Sequence, residues 1–391
     1  MKKILVFESP ITSLSGYGEH SREIASYLHK METDLDLYFI NSKWGKSPCL
    51  LSFDDPQITE TFNKHITTDV AENIHTYIKL GFPSEFKALG KHNIGITALV
   101  ESTLCSKDFV DGCNTMDEVI VPSEFNKTTL LKSYEHHKLK NTSKINVIPE
   151  CVQLNNEIQH NTNQPISEFM DIVEEEFCYL YNGKWNTNPV IDRKNVDGMI
   201  RTFIYAFKDT DKKPGLILKT NHENYSESDY SRVYKSIQNI IKDTTVSTPS
   251  IYLLHGNLST LEMKQLYKHP KIKCGINLSR GESFGRPILE SVIAKKPVLI
   301  PAWSGPTEYV TNNKFHINGK LVNHPDIDGI FINGGSWFDI DVDHASVKLN
   351  DIYNKYEEYQ LETINLLDQI KPKYNKNSIF NEYKQVIDAY L

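Results

Sequence analysis

No apolar run in this sequence approaches the roughly 20 residues that a membrane-spanning helix needs, so no membrane span is expected. The opening stretch MKKILVFESP has a basic flank, but its apolar run stops at Glu8 and Pro10. It reads as a first strand and not as a signal peptide. Cysteine is sparse and scattered: Cys49, Cys105, Cys113, Cys151, Cys178 and Cys274 show no C-x-x-C spacing. That pattern excludes the usual zinc and dithiol motifs and fits reduced, mostly buried thiols in a cytoplasm. Positive charge is in deficit, with 43 Lys and Arg against 50 Asp and Glu and a net charge of −7. The balance argues against general affinity for nucleic acid or an acidic membrane, and leaves room for a local basic patch.

What is present is an ordinary globular composition, 39% hydrophobic and 24% charged, in 391 residues. That length suits two domains better than one. The most informative stretch is 274–309, CGINLSRGESFGRPILESVIAKKPVLIPAWSGPTEY. A strand over 274–278 leads into a polar loop at 279–283. A helix follows with Ile288, Leu289, Val292 and Ile293 on one stripe, and Pro297 opens a strand at 298–300. This strand–loop–helix–strand order is the unit of a parallel α/β sheet. Ligands bind such sheets beyond the carboxyl ends of the strands, where Arg280, Gly281, Glu282, Ser283, Phe284, Gly285 and Arg286 fall. Free N–H groups at the helix start suit an anionic or hydroxyl-rich partner. Two helical turns span about seven residues, so Glu282 and Glu290 are placed to address one molecule. Carboxylates at both ends would suit a ligand with a sugar at each end and phosphate between. The spacing alone serves equally well for a helix-start Glu offsetting the dipole and a second, solvated Glu.

Along the chain, strands are expected at 3–7, 35–41, 74–81, 94–100, 118–121 and 145–148. Helices are expected around Ile24 to Met31, at 107–113, and at 125–134 after the capping residue Ser123. The segment 42–64, with Trp44, Gly45, Pro48, Asp54 and Pro56 as breakers, reads as a long irregular insert. Lys127, Lys132, Lys138, Lys140 and Lys144 form the most basic local stretch, which serves either as a solvated face or as a phosphate patch. The Asn- and Gln-rich segment 153–165 reads as the connection between domains. A second sheet begins at 177–181, then comes the loop NGKWNTNPVIDRKN, a strongly striped helix at 196–207, strands at 216–219 and 251–255, and a helix at 261–267. Irregular edge segments at 317–322 and 329–338, a helix at 345–361 and a last helix at 378–390 complete the chain. Trp303 is expected in the core or stacked on a ring. The Asp pairs 326/328, 339/341 and 341/343 lie in loops, and no metal or cofactor is assigned to them.

Glu282 to Glu290 matches the E-x7-E signature of retaining glycosyltransferases of the GT-B fold, family 4, and the flanking GESFGRPILE and WSGPTEYV resemble the wider pattern of that family. The resemblance implies two doubly wound, Rossmann-like α/β domains facing a cleft: an acceptor-side domain at 1–150, a connection at 151–176, and a nucleotide-sugar domain at 177–375. The final helix, 376–391, would pack back on the first domain. It implies transfer of a sugar, with retention, from a nucleotide diphosphate sugar such as a UDP-sugar. In this reading Glu282 holds the sugar hydroxyls and Glu290 the ribose. Lys184, Arg193 and Lys194 neutralise the diphosphate, with Lys184 standing where Arg is more usual. Ser283, Phe284, Gly285 and Arg286 supply the helix start, while His255, Gly256 and Leu258 border the base. Gly16 and Gly18 face the donor across the cleft. Glu101 stands where the family often carries a histidine; it would contact the sugar or act as base, or simply serve a helix start.

The stretches SGYGEHS, NIGITALVEST and LLHGNLSTLEMKQLYKHPKIK look like a branch of these enzymes common in large tailed phages. That likeness implies a hydroxymethylated cytosine in double-stranded DNA as acceptor of a glucosyl or arabinosyl group, in the host cytoplasm. Tyr17, Lys127 and Lys132 would then be acceptor contacts. A glycan acceptor, or a nucleotide-sugar-binding protein without turnover, are the alternatives.

Overall fold

The computed structural model describes residues 2–31, 35–50, 53, 55–68, 72–152, 165–211, 213–244 and 247–391. Of the connection expected at 153–165, residues 153–164 lie outside them. The chain divides into two compact units, one of Met1–Cys151, His324–Ser336 and Lys373–Leu391, the other of Val152–Asn323 and Trp337–Pro372.

In the first unit, β1 (Lys3–Ser9), β2 (Leu35–Asn41), β3 (Thr76–Leu80), β4 (His92–Ile96), β5 (Glu118–Val121) and β6 (Lys144–Val147) form one sheet in the order β2-β1-β3-β4-β5-β6. All its pairings are parallel. Strands buried on both faces need apolar residues of both parities. Leu5 and Phe7 accordingly face a core shared with α1 (Gly16–His29), α2 (Pro56–His65) and α12 (Lys376–Asp388). Val6 and Tyr77 face the opposite core with α3 (Lys107–Cys113) and α4 (Glu124–His136). The last helix is tied in by Ile379, Tyr383, Val386 and Ile387, and by a hydrogen bond between Tyr383 hydroxyl and His20 Nε2 at 3.0 Å.

In the second unit, β7 (Cys178–Asn182), β8 (Gly215–Lys219), β9 (Ile251–Leu254), β10 (Ile272–Ile276), β11 (Val298–Pro301) and β12 (His316–Ile317) run in the order β12-β11-β10-β7-β8-β9. This sheet is parallel too. Around it lie α5 (Pro165–Asp171), α6 (Val196–Phe207), α7 (Glu227–Lys242), α8 (Thr260–Lys268), α9 (Arg286–Ile293), α10 (Val342–Asn354) and α11 (Tyr356–Ile370). A two-stranded ribbon pairs β13 (Gly319–Asn323) with β14 (Ser336–Ile340). In both sheets the strand order reverses beside the first strand, at β1/β3 and at β7/β10. Such a reversal opens a crevice at the carboxyl edge.

Several expectations are corrected. The supposed irregular insert contains α2: Asp55 caps it, accepting from Gln57 N–H at 2.9 Å, and Pro56 occupies the first turn, where a proline begins a helix rather than breaking it. The connection expected over 151–176 ends in α5, whose Ile166 and Met170 are buried in the second unit's core. β4 ends at Ile96 and not at Val100, and Leu99 beyond it takes a left-handed conformation at φ 52°. The helix expected at 345–361 is two helices, broken at Lys355, and α7 was not foreseen. Among the described residues no helix is long and apolar enough to cross a membrane.

Candidate active site

The carboxyl edge of the second unit's sheet is shaped by the loop from β7 to α6. Asp192, 1% exposed, accepts from Lys194 N–H at 3.2 Å and Val196 N–H at 2.8 Å, and so caps α6. Burial pushes its carboxyl up to about 6 against the pull of those amides and of Arg193. Asn195 is left-handed at φ 52°, with its Nδ2 donating to Leu278 O at 3.1 Å. The kink turns the Arg193–Lys194 pair toward the loop after β10. Gly198 is required there, since a Cβ would come within 2.3 Å of Asn195 Oδ1.

Both cations meet Glu282. Its Oε1 accepts from Lys194 Nζ at 2.5 Å and from Asn277 Nδ2 at 3.3 Å, and its Oε2 lies 3.4 Å from Arg193 Nη1. Arg193 also donates to Gly281 O. Burial would raise the Glu282 carboxyl; the charges of Lys194 and Arg193 with the hydrogen bonds from Lys194 and Asn277 bring it down to about 2. The loop backbone is clamped from below, with Glu282 N–H donating to Ser304 Oγ at 3.1 Å and Gly305 N–H to Glu282 O at 3.0 Å. Ser304 adopts φ 73°, ψ −175°, a region nearly reserved for glycine, and holding a serine there costs about 1–3 kcal/mol. Such strain is concentrated at functional sites. Gly285, at φ 83°, turns the chain into α9, and a Cβ on it would sit 2.9 Å from Ile288 Cδ1.

The two signature acids do not share a helix. α9 begins at Arg286, so Glu282 is positioned by its loop and only Glu290 by helical geometry. Glu290 hydrogen-bonds the buried Tyr267 hydroxyl, which also accepts from Asn182 Nδ2 at 3.0 Å. Arg280, which sequence reasoning placed in the binding loop, is a strut: it pairs with Asp339 at 2.9 Å and donates to the carbonyls of Pro189 and Asp192 at 3.1 and 3.2 Å. Asp341 caps α10, accepting from His344 N–H at 3.0 Å. Ser283 and Phe284 are buried, and Tyr309 hydroxyl donates to the carbonyls of Phe284 and Gly285. Their side chains therefore pack, and what they offer a ligand is backbone. Lys184 is exposed, its carbonyl accepting from Tyr181 hydroxyl at 3.0 Å; the structure brings Arg193 and Lys194 onto Glu282, and Lys184 is not among the contacts. His255 Nε2 bonds Asp229 at 3.0 Å, and Asp229 also accepts from the N–H groups of His222 and Glu223, so this histidine buttresses the loop ahead of α7. Gly256 at φ 143° and Leu258 follow at the end of β9.

The carboxyl edge of the first unit's sheet is built differently. Glu8 and Lys79 lie opposite each other in register on β1 and β3 and form a 2.6 Å ion pair. Tyr77 hydroxyl donates to Glu8 at 2.6 Å, and Lys79 reaches Glu85 at 3.4 Å. Tyr17 stacks on Trp44 at 4.0 Å, and Trp44 lies 4.7 Å from Phe82. Tyr17 hydroxyl accepts from Ala98 N–H at 3.1 Å, tying α1 to the chain after β4. Gly18 is required by the fold, since its Cβ would meet Ser13 O at 1.9 Å, whereas Gly16 has open space beside it. Glu101 is half-buried beyond the end of β4, and its neighbour Ser102 bonds His324 at 2.6 Å. The basic stretch is not one patch. Lys127 sits in the first turn of α4 near the carboxyl edge, Lys132 lies further along, and Lys144 begins β6 at the opposite edge.

No protein-family model matches the chain, and no curated protein matches it. Solved structures do. Sucrose-phosphate synthase from Thermosynechococcus elongatus is similar over 99% of both chains, at 12% identity and a TM-score of 0.65. Anabaena HepE, solved with UDP and glucose, is similar over 99% of this chain and 100% of its own, at 11% identity and 0.63. A Rickettsia africae glycosyltransferase is similar over 100% of this chain and 98% of its own, at 13% identity and 0.63. The chain has the GT-B fold. Its two six-stranded parallel sheets are the Rossmann-like halves of that fold. Around this candidate site, Asp192, Asn277, Ser304 and Tyr267 hold neighbouring groups in place, and the sequence alone gave them no role. Each acts on a neighbour rather than carrying a motif of its own. An aspartate just before R-K and a serine-glycine pair after a strand were the available signals.

Proposed function

We propose that this GT-B protein is a retaining glycosyltransferase that takes its sugar from a UDP-sugar. The observation that carries the reading is the Glu282–Lys194–Arg193 constellation at the β7/β10 crevice, beside the start of α9. Neighbours of the same fold were solved with UDP: HepE, and TarM over 79% of this chain at a TM-score of 0.51. A diphosphate leaving group needs positive charge and backbone dipoles where its own charge develops. Lys194 and Arg193 supply the charge and the N-terminus of α9 the dipoles. The acceptor hydroxyl oxygen bonds to the anomeric carbon as the bond from that carbon to the β-phosphate oxygen breaks. The electron pair leaves with UDP, and the hydroxyl proton passes to the departing phosphate, on the same face. Glu282 orients the sugar hydroxyls, Glu290 the ribose, and Glu101 belongs to the acceptor side.

For the acceptor, the reading is a hydroxymethylated cytosine of DNA. What favours a base over a glycan is Trp44, half-buried between exposed Lys43 and Lys46 beside Tyr17 and Phe82. Aromatic rings with flanking cations hold unstacked bases, and an enzyme acting on a duplex base must first extrude it. The test is product formation from a UDP-sugar panel with hydroxymethylated DNA, unmodified DNA and glycans. Sugar on hydroxymethylated DNA alone is expected. UDP release only with a glycan would replace the acceptor, and no UDP binding at all would remove the donor.

A further inference from the structure

Lys219 ends β8 at the carboxyl edge of the second unit's sheet and is 7% exposed. A buried ammonium is ordinarily held by a carboxylate or by carbonyl oxygens. Lys296, also buried, donates to His269 O at 3.2 Å, and Lys79 has Glu8. Lys219 has no hydrogen-bond or ion-pair acceptor among the described residues; its Nζ lies over the face of Tyr225, 5.3 Å from the ring centre. Burial alone lowers its pKa, to about 8, with no acid offsetting it. The same edge holds two buried donors lacking a partner, Trp185 Nε1 and Thr220 Oγ1.

The surroundings say what is missing. Lys219 lies in register with Asn182 on β7 and Leu254 on β9, and so shares a sheet face with both. Asn182 leads to Tyr267 and thence to Glu290, the expected ribose carboxylate. On the other side Leu254 runs into His255, Gly256 and Leu258. A lysine between a ribose carboxylate and an apolar, aromatic wall faces the place of a nucleobase. An added phosphate would fit poorly, since one cation among Leu254, Leu258 and Tyr225 is a sparse cradle and Asp229 stands behind Tyr225, engaged with His255.

We infer that Lys219 is a specificity-determining residue for the donor nucleotide, donating from Nζ to a carbonyl oxygen of the base, uracil first. Lysine is a donor only, so it selects a base edge that presents an oxo group and disfavours the amino edge of adenine. The inference rests on the UDP-sugar reading above.

The test is calorimetric titration of the full chain with UDP, ADP and inorganic pyrophosphate, for the wild type, Lys219→Met and Lys219→Gln. In the wild type UDP binds at least ~10-fold more tightly than ADP. In Lys219→Met that preference falls to about twofold while pyrophosphate affinity is unchanged, and Lys219→Gln, which keeps a donor, recovers part of it. The melting temperature of ligand-free Lys219→Met equals or exceeds that of the wild type, because an uncompensated buried charge has been removed; a purely structural lysine would lower it. Equal loss for all three ligands makes Lys219 a phosphate contact and overturns the inference, as does unchanged discrimination in Lys219→Met. A wild type that binds no nucleoside diphosphate instead overturns the donor reading itself.

Discussion

Each sheet carries a carboxylate–lysine pair at the crevice where its strand order reverses, and the two pairs are built in opposite senses. In the second unit the acid is buried and the base turned outward: the Glu282 side chain is 7% exposed and Lys194 23%. In the first unit Lys79 is 3% exposed and Glu8 22%. The second unit therefore offers solvent a cation and the first offers it a carboxylate. That is the polarity a diphosphate and a hydroxyl would respectively require. The scaffolding differs too. Glu8 and Lys79 stand on paired strands, where the ladder fixes their register. Glu282 and Lys194 stand on two loops held by Asp192, Asn195 and Ser304. A pair on loops can reorganise around a ligand, whereas one on a ladder stabilises the sheet.

The comparison breaks most sharply at Glu282. Glu282→Gln keeps the shape and loses the charge that holds two cations; sugar transfer should fall by ~100-fold or more in kcat, measured by UDP release. Lys194→Met leaves a buried acid with Arg193 as its remaining cation beside the Asn277 amide, which should cost about 3 kcal/mol in urea unfolding and weaken UDP binding ~10-fold. Lys79→Met should cost a similar ~3 kcal/mol and leave UDP affinity unchanged, since it strips the first unit's pair alone. Equal effects of these two lysines on UDP binding would erase the distinction drawn between the units.

Acid titration sharpens it further. The folded Glu282 pKa of about 2 lies below its ordinary 4.5, so its stabilisation is complete above that ordinary value and disappears as pH falls through the folded one. Asp192, raised to about 6, acts with the opposite sign, and its protonation stabilises the fold as pH falls from 6 toward 4. Melting temperature should thus hold or rise down to about pH 4 and then drop, and Glu282→Gln should flatten the drop. The smallest effect is expected from Ser304→Ala, about 1 kcal/mol, for an amide left without its acceptor.

The α/β class and most strands were legible, because strands buried on both faces print as unbroken apolar runs. The helix at Val196–Phe207 was legible to the residue, since its stripe is continuous and R-K-N marks its start. α2 was hidden by reading Pro56 as a breaker when Asp55 makes it a helix opener. The break at Lys355 has neither glycine nor proline to announce it. Within the site, Glu282, Glu290 and the Arg193–Lys194 pair were visible as a motif. The pairing of Glu282 with Arg193 and Lys194 was not, because it depends on a left-handed Asn195 and a strained Ser304 that no spacing encodes. Glu8 and Lys79 left a trace that went unread: each is a charge at a core-facing parity of an otherwise apolar strand.

The most direct test is the structure of the protein with UDP. The account predicts the diphosphate at the start of α9 with Lys194 Nζ within about 3.2 Å of a phosphate oxygen and the ribose against Glu290. UDP bound away from β7 and β10, or Lys194 still closed on Glu282 with no phosphate contact, would contradict it.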